Sequence, residues 1–202
     1  MKRALIIHGG WPGHEPDLLA DHVAVYLDEE GFRADKANAL DVLDDRDRLA
    51  AADLIVVIWT MGALSEAQER NLTGAVAAGT GIAGWHGGMG DAFRNSPNYQ
   101  FMVGGQFVSH PGNFTAYEVN IIKPEDPIVK GIRDFRLTSE QYYMHIDPSS
   151  EVLATTTFGG EHLPWIAGTV TFLWRFVARR RAEHVYRSYG KLWQDHERKR
   201  LA

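Results

Sequence analysis

The segment Gly84-Trp85-His86-Gly87-Gly88 constrains the fold of this chain more than any other. It follows a short apolar stretch and has the form Gly-x-nucleophile-x-Gly, a sharp turn that raises one side chain above the end of a parallel sheet. Glycines are required there because the backbone bends tightly and passes close to its neighbours. The raised residue is His86, so we predict a nucleophile elbow that presents an imidazole, followed by a helix beginning near Asp91.

The first half of the chain alternates between predicted strands and predicted helices. Residues 53–59 are continuously apolar and β-branched, which is typical of a strand buried on both faces. Ser65 and Gln68 form a capping-box pair that predicts a helix from there to about residue 78. The other predicted elements are strands at 4–7, 32–38 and 82–83, a helix at 16–30, and a loop or short helix at 41–51.

This alternation predicts an α/β fold with an open, mostly parallel central sheet and helices on both faces. Ligands of such folds bind at the carboxyl ends of the strands. We therefore expect residues 8–15, 59–62 and 84–91 to meet at one edge of the sheet.

The second half is less regular. Its pattern predicts a broken helix at 95–105, strands at 106–111, 117–122 and 152–158, and a turn with a short helical segment at 126–132. Residues 139–145 are rich in aromatic side chains. We divide the chain into an α/β domain at 1–172 and a basic, amphipathic helical extension at 173–202.

Composition excludes several classes of function. The 202 residues are 45% apolar, which suits one domain, and no run of eighteen apolar residues predicts a membrane span. The absence of cysteine excludes disulfides, thiolate ligands and a cysteine nucleophile. The apolar part of residues 1–7 is too short for a signal peptide, so we interpret it as a strand. A chain without cysteine makes a cytoplasmic location the default expectation.

The net charge of −5 is unevenly distributed. Residues 173–202 carry nine Lys or Arg and three Asp or Glu, whereas the rest of the chain carries twelve basic and twenty-three acidic residues. The acidic body argues against nucleic-acid binding. The basic segment is typical of a solvated helix face, although it would also suit an acidic partner or a contact between copies in a homo-oligomer.

Histidines and carboxylates are the candidate catalytic groups. A histidine acts as acid, base or metal ligand near neutral pH, and His86 and His14 are the leading candidates because both lie in glycine-rich loops. Glu140 lies among aromatic residues and is a candidate acid or base. Structural roles remain the alternative for each of these residues. Further candidates at predicted strand ends or loops are His8, Glu15, His110 and His145.

Two kinds of ligand fit these side chains. Aromatic faces suit a sugar ring, with core packing as the alternative role; the aromatic candidates are Trp11, Trp59, Trp85, Tyr142 and Tyr143. A divalent metal, zinc or manganese, would suit His14, His86 and His145 with Glu140, although no two of these residues share a helical face. The sequence has neither a Walker phosphate loop nor an elbow-like serine.

Four separated motifs resemble the ThuA-like (trehalose utilisation) family over about residues 3–170. They are His8-Gly9-Gly10-Trp11-x-Gly13-His14-Glu15-Pro16, then residues 79–93 around the elbow, then Gly104-Gly105-Gln106-Phe107-x-x-His110-Pro111-Gly112, then Ser139-Glu140-Gln141-Tyr142-Tyr143 with His145.

This resemblance implies a class I glutamine amidotransferase-like, flavodoxin-like three-layer sandwich. It also implies a link to the catabolism of trehalose and other glucosides, including keto-glucosides. Glutaminase activity is not implied, because His86 occupies the elbow position where amidotransferases have cysteine. The chain also departs from the family after Val170: members close with Gly-Arg-Val-Phe/Tyr and Leu-Gly-His, and this chain lacks that histidine. A divergent tail or a reading-frame shift in the gene accounts for the difference.

Two hypotheses follow. In the first, His86 and Glu140 perform acid/base hydrolysis or isomerisation of a glucoside or keto-glucoside. His14 and His145 then position the substrate or a metal, and the aromatic faces and His110 bind the sugar. In the second, the chain is a non-catalytic module that binds a sugar or a partner on an amidotransferase-like fold.

Overall fold

The structure is a computed structural model that describes residues 1–175. These residues form two compact units, Met1–Val103 and the described residues from Gly104 onward, called here the first and second units. Of the predicted extension, residues 173–175 form the end of a strand, and residues 176–202 lie outside the described part of the chain. No helix within residues 1–175 combines the length and apolar character that crossing a bilayer requires.

The first unit contains a four-stranded parallel sheet, as the sequence predicted. Its strands are β1 (Lys2–Gly10), β2 (Phe32–Ala37), β3 (Leu54–Thr60) and β4 (Gly81–Gly84), in the order β2-β1-β3-β4. Strand order reverses between β1 and β3, and the crevice at such a point is where open α/β sheets bind ligands.

Helices connect these strands. They are α1 (Pro16–Glu29), α2 (Arg46–Ala50), α3 (Glu66–Ala78) and α4 (Pro97–Val103), with short 3-10 helices at Pro12–His14, Leu40–Asp44 and His86–Gly88. The backbone N–H of Ser65 donates to the Gln68 side chain at 3.1 Å, and the Gln68 N–H donates to Ser65 Oγ at 3.2 Å. The predicted capping box therefore begins α3, and Gly79 ends it in the left-handed conformation.

Both faces of the sheet are buried because successive strand residues point to opposite sides. Leu5 and Ile55 pack on one face with side chains of α3 and α4, among them Leu72 and Tyr99. Ala4, Ile6 and Val56 pack on the other face with Val23 and Leu27 of α1. Each fully buried aliphatic side chain contributes about 1.5–3 kcal/mol. This two-sided core is what the continuous apolar run in β3 predicted.

The helix predicted near Asp91 does not form there. Ala92 instead makes a parallel bridge with Met61, and Phe93 takes a positive φ of 49°. The Met61 N–H donates to the Asp91 carbonyl oxygen at 2.9 Å, which ties the segment to the end of β3. The next helix, α4, begins at Pro97, a residue suited to a first helical turn, and lies within the broken helix predicted at 95–105.

The second unit is built from antiparallel strands. They are β5 (Gly105–Ser109), β6 (Phe114–Ile121), β7 (Phe135–Glu140), β8 (Tyr143–Ile146), β9 (Glu151–Phe158) and β10 (Gly168–Arg175), with a 3-10 helix at Pro164–Ile166. One sheet has the order β10-β9-β6-β7, and β5 pairs with β8 in a second sheet. The predicted strands at 106–111, 117–122 and 152–158 correspond to β5, β6 and β9.

One prediction for the second unit is wrong, and three of its strands, β7, β8 and β10, were not predicted. Residues 126–132 form turns but no helix. The N–H groups of Val129 and Ile132 each donate to the carbonyl oxygen three residues earlier, as in successive turns. Residues 139–145 contain the end of one strand and most of another. The sequence also did not predict β10, which pairs along β9 with irregularities in register.

Candidate functional site

The carboxyl end of β1 begins the candidate site of the first unit. Gly10 has a φ of +80°, and a Cβ there would lie 2.1 Å from the Thr60 carbonyl oxygen, so the turn requires glycine. The Trp11 N–H donates to that same oxygen at 3.3 Å. The loop after β1 is thereby held against the end of β3.

His14 is fixed by three neighbours. Its Nδ1 makes a 2.8 Å hydrogen bond with the hydroxyl of Thr60, which is buried. The Trp11 ring meets it edge-on with centroids 4.6 Å apart. A Cβ on Gly87 would lie 2.4 Å from His14 Cε1, so the imidazole rests directly on the elbow backbone.

His86 occupies the raised position of the elbow, as predicted. It follows β4 with a φ of 51°, in the left-handed region that costs a non-glycine residue about 1–2 kcal/mol. Its ring centroid lies 5.0 Å from that of His14, with the planes at 71°. Ring nitrogens of the two residues lie within 4.8 Å of each other. Two adjacent imidazoles can exchange protons with one substrate or ligate one metal ion.

The contacts of His8 differ from those of His14 and His86. It is buried near the end of β1, and its Nδ1 lies 2.9 Å from Asp17 Oδ1 in the first turn of α1. That contact joins the strand to the helix and gives His8 a structural partner. Glu15 is the N-cap residue of α1 and has a φ of 48°, but its side chain makes no capping hydrogen bond.

The predicted tryptophans differ in availability. Trp11 is 45% exposed at the loop beside His14 and presents part of its ring to solvent. Trp85 packs against the core on the α1 side of the sheet. Trp59 stacks on Phe93 with centroids 6.5 Å apart, and its buried Nε1 has no hydrogen-bond partner among residues 1–175. Trp11 is therefore the tryptophan of this unit best placed to meet a ligand.

The second unit contains the Glu140 cluster, formed by Glu140, His110, Tyr142 and Phe107. His110 Nε2 lies 3.8 Å from Glu140 Oε1, within reach of an ion pair but longer than a hydrogen bond. The rings of His110 and Tyr142 are nearly parallel, at 19° and 5.9 Å, and Phe107 lies 4.5 Å from Tyr142. His110 Nδ1 is buried without a partner in the described chain, which favours the tautomer with its proton on Nε2.

Tyr143 and His145 lie on β8, outside this cluster. Their rings contact each other edge-on at 6.1 Å, and Tyr143 also packs on Phe158. His145 is exposed, and among residues 1–175 it belongs to no group of three potential metal ligands. Metal ligation by His145 therefore stays a prediction without a geometric partner.

Comparison with known families matches residues 3–193 to the ThuA family, described as trehalose utilisation. The match extends past residue 170, where the motifs that carry the resemblance end. The chain belongs to the ThuA family.

Two solved ThuA-like structures share the fold. A protein described as ThuA-like from Bacteroides uniformis ATCC 8492 has a TM-score of 0.65 at 19% identity, covering 87% of this chain and 76% of that one. One from Parabacteroides merdae ATCC 43184 has a TM-score of 0.65 at 17% identity, covering 85% and 73%.

A more distant structure also covers nearly the whole chain. A cytoplasmic protein from Salmonella typhimurium LT2 has a TM-score of 0.57 at 15% identity and covers 98% of this chain and 96% of that one. At these identities the likeness shows the α/β fold alone. No curated protein sequence matches this ThuA family member at a significant level.

Sequence reasoning missed three residues of these sites. Thr60 was predicted only as part of the edge segment 59–62, although a hydroxyl at the end of a buried strand is a signal for a polar contact at that edge. Phe107 appeared only within the Gly104–Gly112 motif and was not among the candidate site residues. Asp17 was placed only within the helix predicted at 16–30, and its bond to His8 joins positions that the sequence pattern does not connect.

Proposed function

We propose that this ThuA family member acts on a sugar, a trehalose-type glucoside or a keto-glucoside, by acid/base hydrolysis or isomerisation. The observation that carries the proposal is the His14–His86 pair, with ring centroids 5.0 Å apart at the carboxyl edge of the parallel sheet. Family membership supports the sugar as substrate class. The exposed Trp11 ring beside His14 supplies an apolar face for a sugar ring.

The chemistry follows from two imidazoles of complementary protonation. A neutral imidazole removes a proton from a sugar hydroxyl or from the carbon beside a keto group. A protonated one donates to the leaving oxygen or to the carbonyl oxygen. The Thr60 hydrogen bond holds the His14 ring in one orientation, and the elbow backbone fixes His86. Both reactions need such a positioned pair.

Glu140 is the second proposed acid/base group. Its carboxylate faces Nε2 of His110, so the pair can hold or pass a proton within the second unit. The aromatic faces of Tyr142 and Phe107 suit the apolar face of a sugar ring. Tyr143 and His145 are proposed as more peripheral contacts on β8.

A divalent metal is a further part of the proposal. His14 and His86 offer nitrogens within 4.8 Å of each other, and imidazole suits zinc, whereas manganese favours additional oxygen ligands. When bound, such an ion would polarise a sugar oxygen. Elemental analysis of the purified protein and of His14→Ala tests this part.

The test of catalysis is turnover of a panel of glucosides and keto-glucosides by the wild type, His86→Ala and Glu140→Gln. Loss of turnover in His86→Ala with retained folding supports the proposal. Equal rates in the wild type and in His86→Ala end the catalytic role of that residue.

The rival function is a non-catalytic module that binds a sugar or a partner. The absence of cysteine favours it, since the elbow lacks the nucleophile that amidotransferases use. Thermal-shift measurements with sugars, with and without zinc or manganese, separate the two. Stabilisation by a sugar that is never turned over favours the rival.

We also propose a flavodoxin-like, amidotransferase-like sandwich as the fold of residues 1–172, a cytoplasmic location and a homo-oligomer formed through residues 173–202. Light scattering of the full-length protein tests the last of these. A monomer at micromolar concentration would exclude it.

A further inference from the structure

Gln141 lies where the chain of the second unit passes from one sheet to another. Glu140 is the last residue of β7, in the four-stranded sheet, and Tyr143 is the first residue of β8, which pairs with β5. Gln141 is only 6% exposed. A buried amide at a crossing between sheets must have its hydrogen bonds satisfied inside the protein.

Both donors of the Gln141 amide are used on β9. Nε2 donates to Thr156 Oγ1 at 2.8 Å and to the Thr157 carbonyl oxygen at 3.1 Å. The Thr156 hydroxyl, 1% exposed, donates in turn to the Glu118 carbonyl oxygen of β6 at 2.9 Å. Gln141 is therefore the first member of a buried chain of hydrogen bonds that joins the connection between β7 and β8 to the strands β9 and β6.

These contacts begin where the strand ladder stops. The register between β6 and β7 ends at the pair Phe114–Glu140. The Tyr117 hydroxyl donates to the Glu140 carbonyl oxygen at 3.3 Å, so a side chain fastens this residue too. Side-chain bonds thus take over from backbone pairing at residues 140 and 141.

The residues on either side of Gln141 belong to the Glu140 cluster. Burial alternates along this segment, with Ser139 and Gln141 buried and Glu140 and Tyr142 partly exposed. Anchoring Gln141 inward therefore turns the Glu140 carboxylate and the Tyr142 ring outward, where both meet His110. We propose that Gln141 is a positioning residue that sets the direction of Glu140 and Tyr142 toward His110. Its catalytic consequence rests on the proposed function, whereas its geometric consequence does not.

The test uses Gln141→Met, which retains the length of the side chain and removes both donors. The rate at which diethyl pyrocarbonate modifies His110 is measured by peptide mass spectrometry on the full chain. Release of the Tyr142 ring uncovers the His110 imidazole, so we expect the modification rate to rise. The expected rise is about fivefold, which corresponds to the net free energy that one hydrogen bond contributes to stability.

Gln68→Met is the matched control. Gln68 Nε2 also donates two hydrogen bonds, to the Leu40 carbonyl oxygen and to Asp44, but in the first unit. It should leave the His110 rate unchanged. A folded Gln141→Met protein whose His110 rate also equals that of the wild type overturns the proposal. If Gln141→Met does not fold, Gln141→Asn retains the amide but is one methylene too short to keep both bonds to Thr156 and Thr157. An unchanged His110 rate in that variant overturns the proposal equally.

Turnover gives a second readout. With an active wild type, Gln141→Met should lower kcat more than it raises KM, because the substrate still binds while Glu140 is misdirected. A wild type without turnover contradicts the proposed function, and the modification rates then still decide the role of Gln141.

Discussion

The imidazole of His14 lies 5.0 Å from that of His86, although one follows β1 and the other follows β4. Strand β3 lies between those two strands in the sheet, and its last residue, Thr60, is hydrogen-bonded to His14. Three parallel strands thus contribute to one pair of side chains.

Substitutions at His86 should separate stability from activity. Both His86→Ala and His86→Gly remove the imidazole and should abolish turnover. Because His86 has a φ of 51°, alanine retains the Cβ that makes this conformation costly, whereas glycine does not. We expect His86→Gly to be more stable than His86→Ala by up to about 1 kcal/mol, after the greater flexibility of unfolded glycine is allowed for. Urea denaturation measures the difference, and the reverse order would contradict a left-handed residue at this position.

Gly87→Ala should displace His14. The new Cβ would lie 2.4 Å from His14 Cε1 and 3.1 Å from Thr60 Oγ1, so the ring must move and its hydrogen bond must weaken. We expect a loss of about 1–3 kcal/mol in stability, together with weaker sugar binding.

The control for this change is Gly74→Ala. Gly74 lies inside α3, and a Cβ there meets nothing within 4 Å. It should stabilise the protein by about 0.5–1 kcal/mol, as alanine does in a helix interior, and leave binding unchanged. Equal effects of the two substitutions on sugar affinity would show that His14 is not involved.

Glu140→Gln should lower turnover without unfolding the protein. The amide retains the shape of the side chain but cannot exchange a proton, so we expect kcat to fall by about 10²-fold or more. Glu118→Gln is the control, since that carboxylate pairs with Arg136 on exposed strand surface. Steady-state kinetics on the most active substrate gives the comparison, and similar rates for both variants would remove Glu140 from the mechanism.

Glu151 should make stability depend on pH. Lys123, and after it Arg175, hold the pKa of Glu151 below its usual value by hydrogen bonding to the carboxylate. A carboxyl group with a lowered pKa in the folded state stabilises the protein above its unfolded pKa and loses that contribution as pH falls through the folded value.

The corresponding variant is Glu151→Gln. At pH 7 the urea midpoint of this variant should lie below that of the wild type. The gap between the two midpoints should narrow below about pH 4, near the ordinary pKa of glutamate. Glu66→Gln, at an exposed helical pair, should show a much smaller gap at pH 7. A gap that widens on acidification would contradict the assignment.

The parts of the first unit that follow from local chemistry were predictable. The apolar run of β3, the capping pair Ser65 and Gln68, and the glycines around His86 each specify their structure within a few residues. The family resemblance was confirmed by the match over residues 3–193.

Long-range pairing limited the prediction of the second unit. The strand β10 depends on β9 for its hydrogen bonds, and nothing in residues 168–175 alone specifies that partner. Residues 139–145 divide between two sheets at a buried glutamine, a change that an alternating pattern does not reveal. The failure of the helix predicted near Asp91 has a similar cause, since the bridge between Met61 and Ala92 is a tertiary contact.

Four non-glycine residues of the first unit, Glu15, Met61, His86 and Phe93, have positive φ values, and all lie in loops that leave the carboxyl edge of the parallel sheet. Laboratory evolution toward heat resistance alone should therefore replace them early with asparagine or glycine, which tolerate this backbone. A lineage selected in addition for growth that depends on the protein should keep those positions that the chemistry needs. Positions that are replaced in the first lineage but kept in the second would be those where the strained backbone serves the function. This comparison does not require the substrate to be identified.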